Sequence, residues 1–180
     1  MKAWINGRVL ESPHDPAISV LDHGLVVGDG VFETIAIIDD RPFAPTRHLD
    51  RLVRSAEGLG LGRPDVEAVR EGVGRTATGQ DLPFGRIRIT VTSGPGPLGS
   101  PRGGGELTHI VVTEPCERPP EVSVVATVPW ARNDRGALTG LKTTSYAENA
   151  KMVEYARARG ASEAVMANTR GQLCEGTGSN

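Results

Sequence analysis

The sequence predicts a mixed α/β fold, and two patterns carry that expectation. Segments that alternate apolar and polar residues strictly, as in Arg86–Val91, signal strands. Segments with apolar residues at helical spacing, such as Leu49, Leu52, Val53, Ala56 and Leu59, signal helices between them. Of the 180 residues, 23 are Gly and 13 are Pro, which predicts many turns. At 38% hydrophobic and 23% charged, the chain can bury a core, and its length suits one domain or two small ones.

The elements follow in order. Trp4 to Leu10 reads as a hairpin, because Asn6-Gly7 suits a two-residue turn between apolar runs. Val31–Ile38 is a strand closed by Asp39-Asp40-Arg41-Pro42. A helix follows, with Thr46 as its expected cap and His48, Arg51 and Ser55 forming a stripe beside the apolar one. Asp65 to Ala77 is a weaker helix containing Gly72 and Gly74. In the strand Arg86–Val91, Ile87, Ile89 and Val91 face one way and Arg86, Arg88 and Thr90 the other. Ser93 to Gly105 is a glycine- and proline-rich flexible loop, Leu107 to Thr113 a strand, and Glu114 to Glu121 a linker. Beyond it come a strand at Val122 to Val128, a loop to Leu141 and a helix from Ala147 to Arg159 stopped by Gly160. A strand over Ser162–Asn168, a turn at Thr169-Arg170-Gly171 and a last strand from Gln172 into Gly-rich backbone complete the chain.

Several function classes are excluded. The net charge of −2 gives no electrostatic case for nucleic acid or an anionic membrane surface. No run of 18 apolar residues exists, and the first residues lack the apolar core of a secretory signal, so the expected location is cytoplasmic. Cys116 and Cys174 form no CxxC pair, and His14, His23, His48 and His109 lack metal-ligand spacing, so no metal is expected. Gly28-Asp29-Gly30 precedes a strand and opens no helix, so it is not a dinucleotide fingerprint.

Three residues stand out. Lysine is scarce: Lys2, Lys142 and Lys151 leave 20 − 3 = 17 arginines. Lys142 lies between a glycine and a helix start, amid Thr143, Thr144, Ser145 and Tyr146. A lysine that forms a Schiff base must lose its proton easily, which a partly desolvated pocket favours. Glu175 ends an apolar strand before Gly176 and Gly178, where a carboxylate can pair with a protonated heterocycle nitrogen. Arg51 lies on a helix flank and can fork onto a phosphate. Taken singly, each has an ordinary reading as a solvated charge.

Taken together they resemble one family. Arg47–Leu52 (RHLDRL), Gly140–Asn149 (GLKTTSYAEN), Glu175–Asn180 (EGTGSN) and Asp22–Ile35 (DHGLVVGDGVFETI) resemble, in order, signature segments of the class IV (fold type IV) pyridoxal-phosphate enzymes. That family includes branched-chain aminotransferases, D-amino-acid aminotransferases and aminodeoxychorismate lyases. The resemblance covers essentially the whole chain. It implies a fold type IV architecture: an N-terminal α/β domain over residues 1–118 and, over 119–180, the start of a C-terminal pseudo-barrel domain. It also implies a homodimer.

The resemblance implies roles as well. Lys142 would carry the cofactor aldehyde, pyridoxal 5'-phosphate, as a Schiff base and later shuttle the substrate proton. Glu175 would pair with the pyridine nitrogen. Arg51 would bind the phosphate, and Tyr146 would hydrogen-bond the ring 3′ oxygen. Arg88 and Phe32 would line the substrate pocket. The reaction implied first is amino-group transfer between a branched-chain-like amino acid and a 2-oxo acid. The alternatives are release of pyruvate and 4-aminobenzoate from aminodeoxychorismate, and a catalytically incomplete fragment. Phe32 replaces the tyrosine of D-amino-acid aminotransferases, and Ser93 stands where those enzymes and the lyases often carry an arginine. Both departures argue against D-amino acids. Arg132–Lys142 resembles the lyases as much as the aminotransferases. Members of the family are substantially longer, so the C-terminal domain is expected to be incomplete.

Overall fold

The computed structural model describes residues 1–179; Asn180, the last residue of the Glu175–Asn180 motif, lies outside the described residues. The chain divides into two compact units. One comprises Met1–Arg118 together with Gly140–Thr144; the other comprises Pro119–Thr139 and the residues from Ser145 onward.

In the first unit, β1 (Lys2–Ile5) and β2 (Arg8–Val9) form the expected hairpin, with Asn6 and Gly7 both left-handed. A short helix α1 (His23–Val26) is capped by Asp22 and leads to β3 (Gly30–Ile38). Asp39 and Asp40, also left-handed, turn β3 back into β4 (Arg41–Pro42). Helices α2 (Pro45–Leu59) and α3 (Val66–Ala77) precede β5 (Phe84–Thr92) and β6 (Thr108–Pro115). The six strands form one sheet in the order β2-β1-β6-β5-β3-β4. Register sets Val31 opposite Val91, Glu33 opposite Ile89 and Ile35 opposite Ile87. These positions point the same way, into a core completed by Leu49, Leu52 and Ala56 of α2 and Val69 and Ala77 of α3. Gly72 belongs to this packing: a Cβ there would lie 2.7 Å from the Trp4 ring, which is fully buried. The glycine that weakens the helix by propensity is the residue that admits the indole.

Three expectations for this unit need correction. Thr46 does not cap α2: the cap is Ala44, left-handed at φ 47°, and Pro45 occupies the first turn, where a missing N–H costs nothing. Glu114 and Pro115 extend β6 rather than open the linker, because Arg86 pairs with Glu114 across the ladder. The loop after β5 is tied down. Arg102 forks onto both oxygens of Asp29 at 2.7 Å and donates to the carbonyls of Leu59 and Gly60 at the end of α2. That fork holds the Asp29 carboxyl below its usual range, outweighing partial burial.

In the second unit, β7 is confined to Val125–Thr127 and runs parallel to β8 (Glu163–Ala167), which pairs antiparallel with β9 (Leu173–Gly176). Val122 and Val124, expected in β7, lie outside it and are exposed. Helix α4 (Ala147–Arg157) ends two residues earlier than its pattern predicts. Met152 and Ala156 from α4 pack with Ala161, Ala164 and Met166 in a small core. Among the described residues no helix is long and apolar enough to cross a membrane.

Candidate active site

The chemistry-bearing side chains gather in two clusters, one in each unit. The first is built on β3. Glu33 occupies a core-facing position and its side chain is fully buried. A buried carboxylate needs partners, and α2 supplies them from the stripe beside its apolar face. Arg51 donates through Nε to Oε1 at 2.6 Å and through Nη2 to Oε2 at 2.7 Å, a bidentate fork. His48 donates through Nδ1 to Oε2 at 2.7 Å. Ser55, one turn on, accepts from the backbone N–H of Lys142 at 3.2 Å. The helical stripe is thus the face that reads β3 and the lysine segment.

Residues 142–144 lie along the edge of β3. Phe32 donates its N–H to the Lys142 carbonyl at 3.0 Å, and Thr144 donates to the Gly30 carbonyl at 2.8 Å. The Thr144 hydroxyl donates to the Gly28 carbonyl, also at 2.8 Å. Phe32, next to Glu33, points to the opposite side of the sheet. There the Lys142 Nζ stands 4.3 Å from the Phe32 ring centroid and the Arg88 guanidinium carbon 3.3 Å from it. A primary amine and a planar cation therefore share one aromatic surface. The amine can act as nucleophile or base, and the guanidinium suits a carboxylate.

The second cluster surrounds the end of β9. Glu175 lies opposite Met166 and forms an ion pair with Arg132, Oε1 to Nε, at 2.9 Å. Arg132 Nη1 donates to Asn149 Oδ1 at 3.2 Å, and Asn149 Nδ2 donates to the Thr177 carbonyl at 3.0 Å. Tyr146 sits at the N-terminal cap position of α4. Glu163 gathers the glycine-rich turn beyond Glu175. It accepts from the N–H groups of Ala164, Thr177 and Gly178, from the Thr177 hydroxyl, and from the Ser179 hydroxyl at 3.0 Å.

Partial burial opposes the Glu163 charge, but these donors prevail and hold its carboxyl below the ordinary 4.5. A depressed carboxyl stabilises the fold above its unfolded pKa, and that contribution is lost as pH falls through the folded value. Glu163→Gln should therefore lower the unfolding midpoint near neutrality by the equivalent of roughly 1–3 kcal/mol. The gap between variant and wild type should close on acidification below about 4.5. Denaturant unfolding at several pH values measures both, and a gap constant down to the acid range would contradict the clamp.

Of the residues singled out in the sequence, Lys142, Phe32 and Arg88 meet on one ring, Arg51 is engaged with Glu33, and Glu175 and Tyr146 belong to the second unit. Glu33, Arg132, Asn149 and Glu163 escaped sequence reasoning. Only Glu33 left a signal there, a charge at a core-facing position of an apolar strand.

The model of the amino-transferase class IV family matches residues 30–180. A Methanocaldococcus jannaschii protein carrying the name of a branched-chain-amino-acid aminotransferase is 35% identical over all of this chain and 64% of its own length. A Mycobacterium tuberculosis protein named bifunctional aminodeoxychorismate lyase / D-amino acid transaminase is 29% identical over 98% of this chain and 63% of its own length. The PLP-bound form of a hypothetical aminotransferase from Mycobacterium tuberculosis superposes with a TM-score of 0.80 at 26% identity, covering 98% of this chain and 65% of that one. The chain thus spans a little under two thirds of the proteins it matches.

Proposed function

Because this chain belongs to the amino-transferase class IV family, we propose that it serves amino-group transfer between a branched-chain-like amino acid and a 2-oxo acid, with Lys142 as the base. One observation carries this reading: the Lys142 amine and the Arg88 guanidinium pack against the same Phe32 ring. Amino-group transfer needs a base at the substrate Cα and a cation for the adjacent carboxylate, and both are found within one side chain's width.

The family cofactor is pyridoxal 5'-phosphate, and the donor set of this chain matches it group by group. Lys142 offers a primary amine for the aldehyde, Arg51 a guanidinium for the phosphate and Glu175 a carboxylate for the ring nitrogen. When bound, the cofactor supplies an electron sink for charge developing at Cα. The chain's own residues do the rest. Lys142 Nζ takes the proton from Cα and returns it at the receiving carbon. Arg88 grips the substrate carboxylate through its N–H edge, and Phe32 keeps water from the base. Glu33 and His48 hold the Arg51 guanidinium in a fixed plane. Tyr146 would hold the oxygen on the cofactor ring. A homodimer in the cytoplasm completes the reading.

The cofactor-loaded chain should convert 2-oxoglutarate to glutamate when given leucine, isoleucine or valine, and should give none with D-alanine. Turnover with D-alanine alone would overturn the substrate assignment. A lyase reading has its own support in the name of the Mycobacterium tuberculosis relative. Pyruvate formed from aminodeoxychorismate without an oxo-acid acceptor would favour it. The absence of both reactions, and of any visible band with the cofactor, would leave a non-catalytic chain.

A further inference from the structure

Building on the reading of Glu175 as the partner of the cofactor ring nitrogen, we propose that Arg132 is the positioning residue for that carboxylate. Neither the motifs nor the resemblance singled out Arg132. It lies in the loop between β7 and α4, and its backbone N–H donates to the Ala167 carbonyl at 2.7 Å, pinning it beside the end of β8. Its side chain then spans two elements. Nε forms an ion pair with Glu175 Oε1 at 2.9 Å on β9, while Nη1 donates to Asn149 Oδ1 at 3.2 Å and lies 3.6 Å from Glu148 Oε2 on α4.

This differs from an ordinary surface ion pair. Both partners are about three-quarters covered, Arg132 at 27% and Glu175 at 28% side-chain exposure, against 66% and 71% for Arg157 and Glu154. The acceptor on the far side, Asn149, is 3% exposed, and its own amide holds the Thr177 carbonyl two residues past Glu175. One guanidinium therefore ties the carboxylate to the same asparagine that fixes the following turn. With its backbone and both ends of its fork engaged, Arg132 has little rotamer freedom left to lose.

The chemical consequence concerns direction. A carboxylate that must accept one N–H from a planar ring has to present one oxygen along a set line. Anchoring Oε1 on Arg132 sets that line for Oε2. The planar fork of arginine can reach Glu175 and Asn149 together; a lysine ammonium in its place keeps the charge but gives up the planar fork.

The test uses the cofactor-loaded chain with ¹⁵N-labelled pyridoxal phosphate, comparing wild type, Arg132→Met, Arg132→Lys and Glu175→Gln. Three readouts are taken: the ring-nitrogen ¹⁵N resonance, kcat and KM for the amino donor, and the thermal unfolding midpoint. In Arg132→Met the resonance should move from the protonated position part of the way toward that of Glu175→Gln. Its kcat should fall by roughly 10–10²-fold with KM little changed. Arg132→Lys should recover part of both, and it stands in should Arg132→Met fail to fold. An unmoved resonance and kcat in the folded Arg132 variant, beside a clear change in Glu175→Gln, would reduce the pair to scaffolding and sink this proposal alone. An unmoved resonance in Glu175→Gln would sink the reading of Glu175 itself.

Discussion

An alanine at position 142 should leave the cofactor-loaded chain without measurable amino-group transfer, a loss of ~10⁴-fold, the upper end of what a positioned general base supplies. The fold should survive, because the segment is held by its backbone. The Lys142 carbonyl accepts from Phe32, and its N–H donates to Ser55. Neither bond uses the side chain, so the unfolding free energy should change by no more than about 1 kcal/mol, the loss of the amine's contact with the Phe32 ring. Borohydride reduction of the loaded wild-type chain should fix the cofactor to the peptide containing Lys142. Lys2 and Lys151 supply the controls: Lys2 is exposed, and the Lys151 Nζ lies 5.3 Å from the Trp130 ring. Label on either would end the assignment of Lys142, and an active Lys142→Ala chain would do so independently.

The second large effect is on stability. Arg51→Leu removes both arms of the fork and leaves the fully buried Glu33 carboxylate with His48 alone. Removing one partner of a buried ion pair costs roughly 3–5 kcal/mol, because the remaining charge is stranded away from water. The low end is expected, since Arg51 is itself 39% exposed and water can follow the leucine in. Adding Glu33→Gln to Arg51→Leu removes the stranded charge and should recover much of the loss. A double-mutant cycle in urea measures this coupling. Additive effects of the two substitutions would show that the fork contributes nothing beyond its separate halves. Arg51→Leu should also weaken cofactor binding if Arg51 holds the phosphate, an effect that a cofactor titration of the folded variant separates from stability.

Most strands and helices were legible because their signals are local. Asn6-Gly7 fixes a hairpin, and alternation in Arg86–Val91 fixes which side chains meet the helices. The stripe of His48, Arg51 and Ser55 was legible as a stripe, but its meaning depends on β3 lying beneath it. Where reading failed, non-local partners decided, except at the α2 cap, where the adjacent proline did. Pro45 displaced Thr46 from the cap. Glu114 joined β6 because Arg86 waits across the ladder, and Arg102 anchored a loop whose composition predicts freedom. In the candidate site the lysine, the strand-end glutamate and the helical arginine stand out by residue type and neighbours. Glu163 and Arg132 do not, since a glutamate at a strand start and an arginine in a loop are ordinary until the turn at Thr177 and the carboxylate at 175 close on them.

One consequence follows from the way Gly140–Thr144 completes the first unit although twenty-one residues of the second, Pro119–Thr139, precede it in the chain. A gene fragment ending at Arg118 would discard both the Lys142 amine and the short ribbon of backbone that caps the rim of β3. The Phe32 N–H and the Gly30 carbonyl would then lie bare, inviting self-association. A workable excision must graft the pentapeptide back, either through a designed linker or as a separate synthetic strand that docks on the exposed rim.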